Sequence, residues 1–224
     1  MVRQIVVGMF GTNCYLYSEN DDKNECVVID PGGDDAKILN ELEKGELRPI
    51  GIALTHGHLD HIASVGKLKD HYSRQGISLP VAIHSKDADH LGDQAAEVNQ
   101  RDLANLGLLF PDQALAKLMA SLPKADITLN DGDKVFNTGL AVIETPGHTQ
   151  GGVCFYCRSR GLLFSGDALF CMGIGRSDIP GGDGEQLLSS IKRRLLTLAP
   201  DTTVYPGHGP ETTIGSELKS NPFF

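Results

Sequence analysis

The sequence predicts an α/β protein of αββα architecture, two mixed β-sheets packed face to face with helices on their outer sides. Three observations carry this. Short β-rich runs and helical runs alternate along the chain, which calls for sheets covered by helices. The runs fall into two halves, separated by a helical stretch at about residues 94–124. Several apolar runs end in short polar segments containing Gly, His and Asp, as expected where strand-end loops carry a site.

Val2 to Gly8, Tyr15 to Ser18 and Cys26 to Asp30 read as strands of a meander, separated by turn-formers such as Asn20, Asp21 and Asp22. A helix is expected over Ala36 to Glu43, with Asp34 or Asp35 as N-cap and Gly45 near its end. Ile50 to Leu54 is a buried strand that opens onto a His-rich loop. Ala63 to Tyr72 then reads as helix, Val81 to His84 as strand and Lys86 to Leu91 as a short helix. Leu103, Leu106 and Phe110, then Leu115, Leu118, Met119 and Leu122, recur at helical spacing around Pro111. They predict an insert of two amphipathic helices, read as core more than as a substrate lid.

Strands resume at Ile127 to Leu129, Lys134 to Phe136, Leu140 to Thr145, Gly152 to Tyr156 and Leu162 to Ser165. Asn130-Asp131-Gly132-Asp133 is the hairpin signal among them. A helix over Glu185 to Leu198 and a strand over Thr203 to Pro206 complete the pattern. No repeat, low-complexity tract or linker interrupts it, so one domain is expected over residues 1–224, with the helical insert inside it.

The chain has 224 residues, 40% of them hydrophobic, enough for a sizeable core. Its net charge of -9 and pI near 5.3 argue against a nucleic-acid groove and favour small-molecule chemistry. No apolar stretch is long enough to span a bilayer, and Met1 to Gly11 reads as a first strand instead of a leader, so a cytoplasmic protein is expected. Five cysteines suit reduced thiols. Cys154 and Cys157 form a C-x-x-C, but a strand would point them to opposite faces. Oligomeric state is not legible.

His56-x-His58-x-Asp60-His61 sets four coordinating side chains within six residues, after an apolar strand and before a helix. In an extended segment His56 and His58 share a side, while Asp60 and His61 turn into the helix, so one loop can serve two metals. Further ligands must come from elsewhere. His148, Asp167 and His208 each follow a Gly at an expected strand end, in Pro146-Gly-His148, Ser165-Gly-Asp167 and Pro206-Gly-His208. Glycine allows the sharp turn and close approach that a metal loop needs.

These segments resemble the metallo-β-lactamase superfamily and, within it, the glyoxalase II (hydroxyacylglutathione hydrolase) group. Asp30-Pro-Gly-Gly33, Gly166-Asp-Ala-Leu-Phe170, Gly173-Ile-Gly-Arg-Ser-Asp178, Pro180-Gly-Gly-Asp183 and the closing Asn221-Pro-Phe223 are similar to the compact branch of that group. The resemblance implies that His56, His58 and His148 hold one metal, that Asp60, His61 and His208 hold a second, and that Asp167 bridges them, with Asp60 and Asp167 closest to the chemistry. Zn is the first expectation for the two divalent ions, and Fe or Mn also suit imidazoles and carboxylates. Asp30 is expected behind the ligands, orienting one of them or the loop. Arg176 is the substrate-binding candidate, weighed against an exposed salt bridge. Pro210 stands where larger members carry a tyrosine, and no C-terminal helical domain follows to grip glutathione.

The implied activity is hydrolysis of a thioester such as S-lactoylglutathione or a related hydroxyacyl-thiol, by attack of a hydroxide shared between the metals. The alternative of the same fold is a persulfide dioxygenase with one iron on the counterparts of His56, His148 and Asp167. A β-lactamase is disfavoured because its second metal commonly uses a cysteine where this chain has Asp167. His71, His84 and His90 match no ligand motif and read as structural.

Overall fold

The computed structural model describes residues 1–19, 24–107 and 113–224. The turn-formers Asn20, Asp21 and Asp22, and Phe110 and Pro111 of the insert, lie outside them. In the first half, β1 (Val2–Val7), β2 (Thr12–Tyr17) and β3 (Glu25–Ile29) form the expected meander, and α1 (Asp35–Lys44) leads to β4 (Arg48–Ala53). Two helices follow, a single turn α2 (Leu59–Ile62) and α3 (Val65–Ser73), then β5 (Val81–His84). The stretch read as a short helix after it is a 3-10 turn, Ser85–His90. The insert contains α4 (Ala95–Asn105) and α5 (Gln113–Ala120), and β6 (Ile127–Leu129) returns to the sheet.

In the second half, β7 (Leu140–Glu144), β8 (Val153–Cys157) and β9 (Leu162–Gly166) precede a small hairpin, β10 (Leu169–Phe170) and β11 (Gly173–Ile174). The last expected helix is α6 (Gly184–Ser190), whose final turn widens into a π-helix over Ile191–Leu195. β12 (Thr203–Pro206), β13 (Thr212–Thr213) and α7 (Ile214–Ser220) close the chain.

The first sheet runs β1-β2-β3-β4-β5-β6 and the second β13-β12-β9-β8-β7. β3 to β6 are parallel, as are β9 and β12, and the other pairings are antiparallel. Alternation along single strands builds three apolar layers. Tyr15, Tyr17, Val27 and Ile29 meet Val142, Phe155 and Phe164 between the sheets. Cys14, Leu16, Cys26 and Val28 point the other way, onto Ile38 and Leu42 of α1 and Leu68 of α3. Leu163 and Val204 likewise pack outward on Leu187, Ile191 and Leu195. The αββα expectation therefore holds, and its cause is that both faces of these strands are apolar. Cys154 lies in the outer layer and Cys157 between the sheets, on opposite faces as expected.

One strand was misread. Lys134 to Phe136 contributes only an isolated bridge, Lys134 to Ala141. The reversal lies after the Asn130-Asp131-Gly132-Asp133 turn, at Phe136 and Asn137, which take φ of 48° and 58°. There the Val135 N–H donates to the Leu140 carbonyl at 3.0 Å. The Asn-Asp-Gly turn instead carries the chain from one sheet to the other, and the Phe136 ring settles on Gly51 of β4.

Candidate metal centre

The parallel strands deliver their C-terminal ends to one edge of the sandwich. Asp30 follows β3, His56 to His61 follow β4, Asp167 follows β9 and His208 follows β12. The two sheets are stitched there by the Asn13 N–H on the Gly207 carbonyl at 2.7 Å and the Val153 N–H on the Thr55 carbonyl at 2.8 Å. Glycine is required as expected. Gly147 and Gly166 take φ of 133° and 49°, and a Cβ on Gly207 would lie 2.1 Å from Asp167 Oδ1.

All seven ligand candidates converge. His56, His58 and His148 offer nitrogens to one point, and Asp60, His61 and His208 offer atoms to another, each set within 4.8 Å. Asp167 reaches both: Oδ1 is 3.3 Å from His61 Nε2, and Oδ2 is 3.6 Å from His148 Nε2 and 3.5 Å from His208 Nε2. Arg176 stands apart from the clusters. Its guanidinium pairs twice with Asp178, at 2.8 and 2.9 Å, on the exposed rim, so the salt-bridge reading describes its side chain.

The hydrogen bonds behind the rings decide which nitrogen faces inward. The Thr55 hydroxyl donates to Asp30 Oδ2 at 2.6 Å, so at 3.1 Å it accepts from His56 Nδ1. That leaves His56 Nε2 as an acceptor facing the cluster, buried and without a hydrogen-bond partner. His61 Nδ1 donates to Asp30 Oδ2 at 3.0 Å, and His148 Nδ1 donates to the Arg176 carbonyl at 2.6 Å. Such partners behind a ligating imidazole set its tautomer and basicity. His148 Nε2 then faces His58 Nδ1 at 2.9 Å. Asp167 Oδ1 is also buried without a hydrogen-bond partner. Imidazoles and carboxylates with orphaned lone pairs on His56 Nε2 and Asp167 Oδ1 fit divalent metal ions.

Electrostatics divides the centre. Burial, then the neighbouring imidazoles, holds His56 well below its usual range and pushes His58 down to about 3. Burial would also lower His61 and His208, but here carboxylates prevail. Asp167 and Asp60 raise His61 well above its usual range, and their hydrogen bonds lift His208 to about 9. The same attraction, with His61 the largest favourable partner, overcomes burial to hold Asp60 at about 2 and Asp167 well below the carboxylate range.

The sequence reading missed Asp87. It is 1% exposed and ties the two loops of the His56, His58 and His148 cluster together. Oδ2 accepts from Gly57 N at 3.0 Å and Thr149 Oγ1 at 2.7 Å, and Oδ1 accepts from Gly151 N at 2.7 Å. Its available signal was position, an Asp shortly after a buried strand, as at Asp30 and Asp167. His90 is structural as read, with its ring against Gly57 and Nε2 on Asp102 of α4 at 2.9 Å. The Asn221-Pro-Phe223 ending also has a task. Asn221 Nδ2 donates to the Gly173 carbonyl at 3.0 Å, and buried Glu217 takes the Met172 N–H at 2.9 Å. Together they anchor the hairpin just before Arg176, whose carbonyl orients His148.

The family model of the metallo-beta-lactamase superfamily matches residues 7–208. A curated relative named hydroxyacylglutathione hydrolase GloC, from Haemophilus influenzae, is 36% identical over 98% of this chain and 95% of its own. The solved structure of the BLEG-1 B3 metallo-beta-lactamase is similar with a TM-score of 0.83 and 38% identity, covering 100% of this chain and 99% of that one. TTHA1623, solved in a di-iron-bound form, gives 0.80 and 37% over all of both chains. With this match, and with strand-end His and Asp clusters suited to the divalent metals that its members bind, the chain belongs to the metallo-beta-lactamase superfamily.

Proposed function

We propose that the chain is a binuclear metal-dependent hydrolase that cleaves a thioester, S-lactoylglutathione or a related hydroxyacyl-thiol. The observation that carries this reading is the pair of ligand clusters joined by Asp167. In it His56, His58 and His148 would hold one ion and Asp60, His61 and His208 the other, with Asp167 available to both. Two ions so held would supply Lewis acidity for a carbonyl and a water acidic enough to attack at neutral pH. Zn is our choice, and the di-iron neighbour keeps Fe open.

The chain's own groups do the positioning. Asp30 and Thr55 hold His56 and His61 in the tautomers that face inward, and the Arg176 carbonyl does so for His148. Thr12 Oγ1 donates to Asp60 Oδ2 at 3.0 Å and steadies that carboxylate. In the reaction water adds to the thioester carbonyl, the C–S bond breaks, and a carboxylic acid and a thiol leave. A thiolate is a good leaving group, so no strong general acid is needed.

The GloC relative supports the thioester. The dioxygenase alternative would take only His56, His148 and Asp167 as ligands, leaving His58, Asp60, His61 and His208 outside the iron site. A second reading, β-lactam hydrolysis, is favoured by the B3 metallo-beta-lactamase neighbour at 38% identity, because one centre can activate water toward either carbonyl. Metal analysis together with thioester, β-lactam and oxygen-uptake assays on one preparation tests all three. We expect close to two ions per chain and thioester turnover. One iron with oxygen consumed on glutathione persulfide would hand the protein to the dioxygenases.

A further inference from the structure

The cavity above the clusters is walled by apolar side chains that no step of the proposed hydrolysis uses. Its floor carries His58, Asp60, His148, Asp167 and His208, and among the described residues it encloses about 1440 Å³. Small-molecule pockets are typically about 300 to 1,000 Å³, so this cavity has room for more than a short acyl group. On one side stand Met9 and Phe10, 79% and 48% exposed, on the turn between β1 and β2. The insert adds Leu103 and Leu106 from the end of α4 and Leu115 and Leu118 from α5 to the same lining. Exposed Met9 and Phe10 and partly buried Leu106, Leu115 and Leu118 thus line one cavity with a charged floor, the composition of a small-molecule site.

Charge on the rim points the same way. Of the lining cations, Lys67 is paired with Asp35 at 2.7 Å and Arg176 with Asp178 at 2.8 Å. Among the described residues only Lys117 lines the cavity without a carboxylate partner. That is a poor match for glutathione, whose two carboxylates need dedicated donors, and a good match for a chain of methylenes.

Building on the thioester reading, and narrowing it from S-lactoylglutathione to a longer acyl-thiol, we infer that the substrate carries an apolar chain beside the scissile carbonyl. The chain lies against the Met9-Phe10 turn and the leucines of α4 and α5, which line the same cavity. The insert is then a specificity wall and not only core.

The test separates binding from chemistry. Uncleavable S-alkyl thioethers of N-acetylcysteamine, from S-methyl to S-hexyl, are titrated into the metal-loaded protein by calorimetry. Each buried methylene is worth about fourfold in affinity, so with most of the chain buried S-hexyl should bind roughly 10²-fold tighter than S-methyl. Leu118→Asp, or Leu106→Ser should the first variant fold poorly, should flatten the series. The acetyl and hexanoyl thioesters of the same thiol are then compared by kcat/KM, which should rise with the chain. Equal affinities, or equal kcat/KM for both thioesters, would overturn the apolar-chain inference while leaving the hydrolase standing. Chain-dependent binding with no thioester hydrolysed would instead overturn the hydrolase reading and keep the apolar site.

Discussion

The two ligand clusters differ in how they are held and in what charge they carry. His56, His58 and His148 form a set with no carboxylate of its own, and burial keeps His56 and His58 neutral. Its loops are braced from outside by Asp87 and by the His90–Asp102 pair. Asp60, His61 and His208 include an acid, and His61 and His208 hold protons strongly. Here the bracing comes from Thr12 and Asp30, and the His208 side chain is 27% exposed. Burial disfavours charge on His56 and His58, whereas the carboxylates favour protons on His61 and His208. The comparison teaches that one loop motif serves two unlike environments, because its residues are separated by the turn into α2.

The strongest way to break this picture is through the residue that belongs to both sets. Asp167→Ala should lose both ions and lower turnover by more than the roughly 10²-fold that outer partners cost. Elemental analysis beside kinetics checks it, and retention of two ions would remove Asp167 as the link. His208→Ala should be more selective, releasing one ion and sparing the other, since His208 lies 3.3 Å from Asp60 and is absent from the His56 set. Equal loss of both ions would count against the division.

The supporting carboxylates sharpen the comparison further. Asp30→Ala removes the acceptor behind His61 and, through Thr55, behind His56, so affinity should fall at both clusters by about 10- to 100-fold. Asp87→Ala frees only the loops of His56, His58 and His148, so a fall of that order should be confined to them. Cobalt titrations followed by absorption would resolve the sites. Identical profiles for the two variants would sink the distinction.

The smallest effect concerns stability. His90 has a raised pKa: burial opposes its charge, but the hydrogen bond to Asp102 prevails. Its contribution is whole below 6.5 and fades as pH rises through the raised value. Asp102 is lowered, with burial opposed by His90 and then Arg101, so its contribution is present above 3.8 and is lost as acid protonates it. Asp102→Asn should therefore cost most between 3.8 and 6.5, roughly 1 to 2 kcal/mol, and less at alkaline pH. Thermal melts across pH would show it. A gap that widens above neutrality would be the wrong sign.

Much of this was written locally. Strands with two apolar faces announced a buried sheet, so β2 to β5 and β8 to β9 fell close to where alternation and β-branched content put them. His56, His58, Asp60 and His61 were legible because their spacing lies within one covalent segment. His148, Asp167 and His208 were legible because each needs a glycine beside it. Lys134 to Phe136 misled, since a run of strand formers does not reveal that the reversal lies at Phe136 and Asn137. Asp87 offered only its position after a strand, and its role was hidden because its partners Gly57, Thr149 and Gly151 sit on other segments.

By itself, then, the sequence determined which side chains could bind metal and which runs would be buried, because residue type, spacing and periodicity are properties of the chain. Only the tertiary structure decided which ring nitrogens face inward, that Asp87 ties the loops of one cluster together, and that leucines of the insert line the cavity beside them. Those outcomes depend on how strand ends of two different sheets meet. That meeting is set by packing between the sheets and by hydrogen bonds such as Asn13 to Gly207 and Val153 to Thr55, which join residues far apart in the chain.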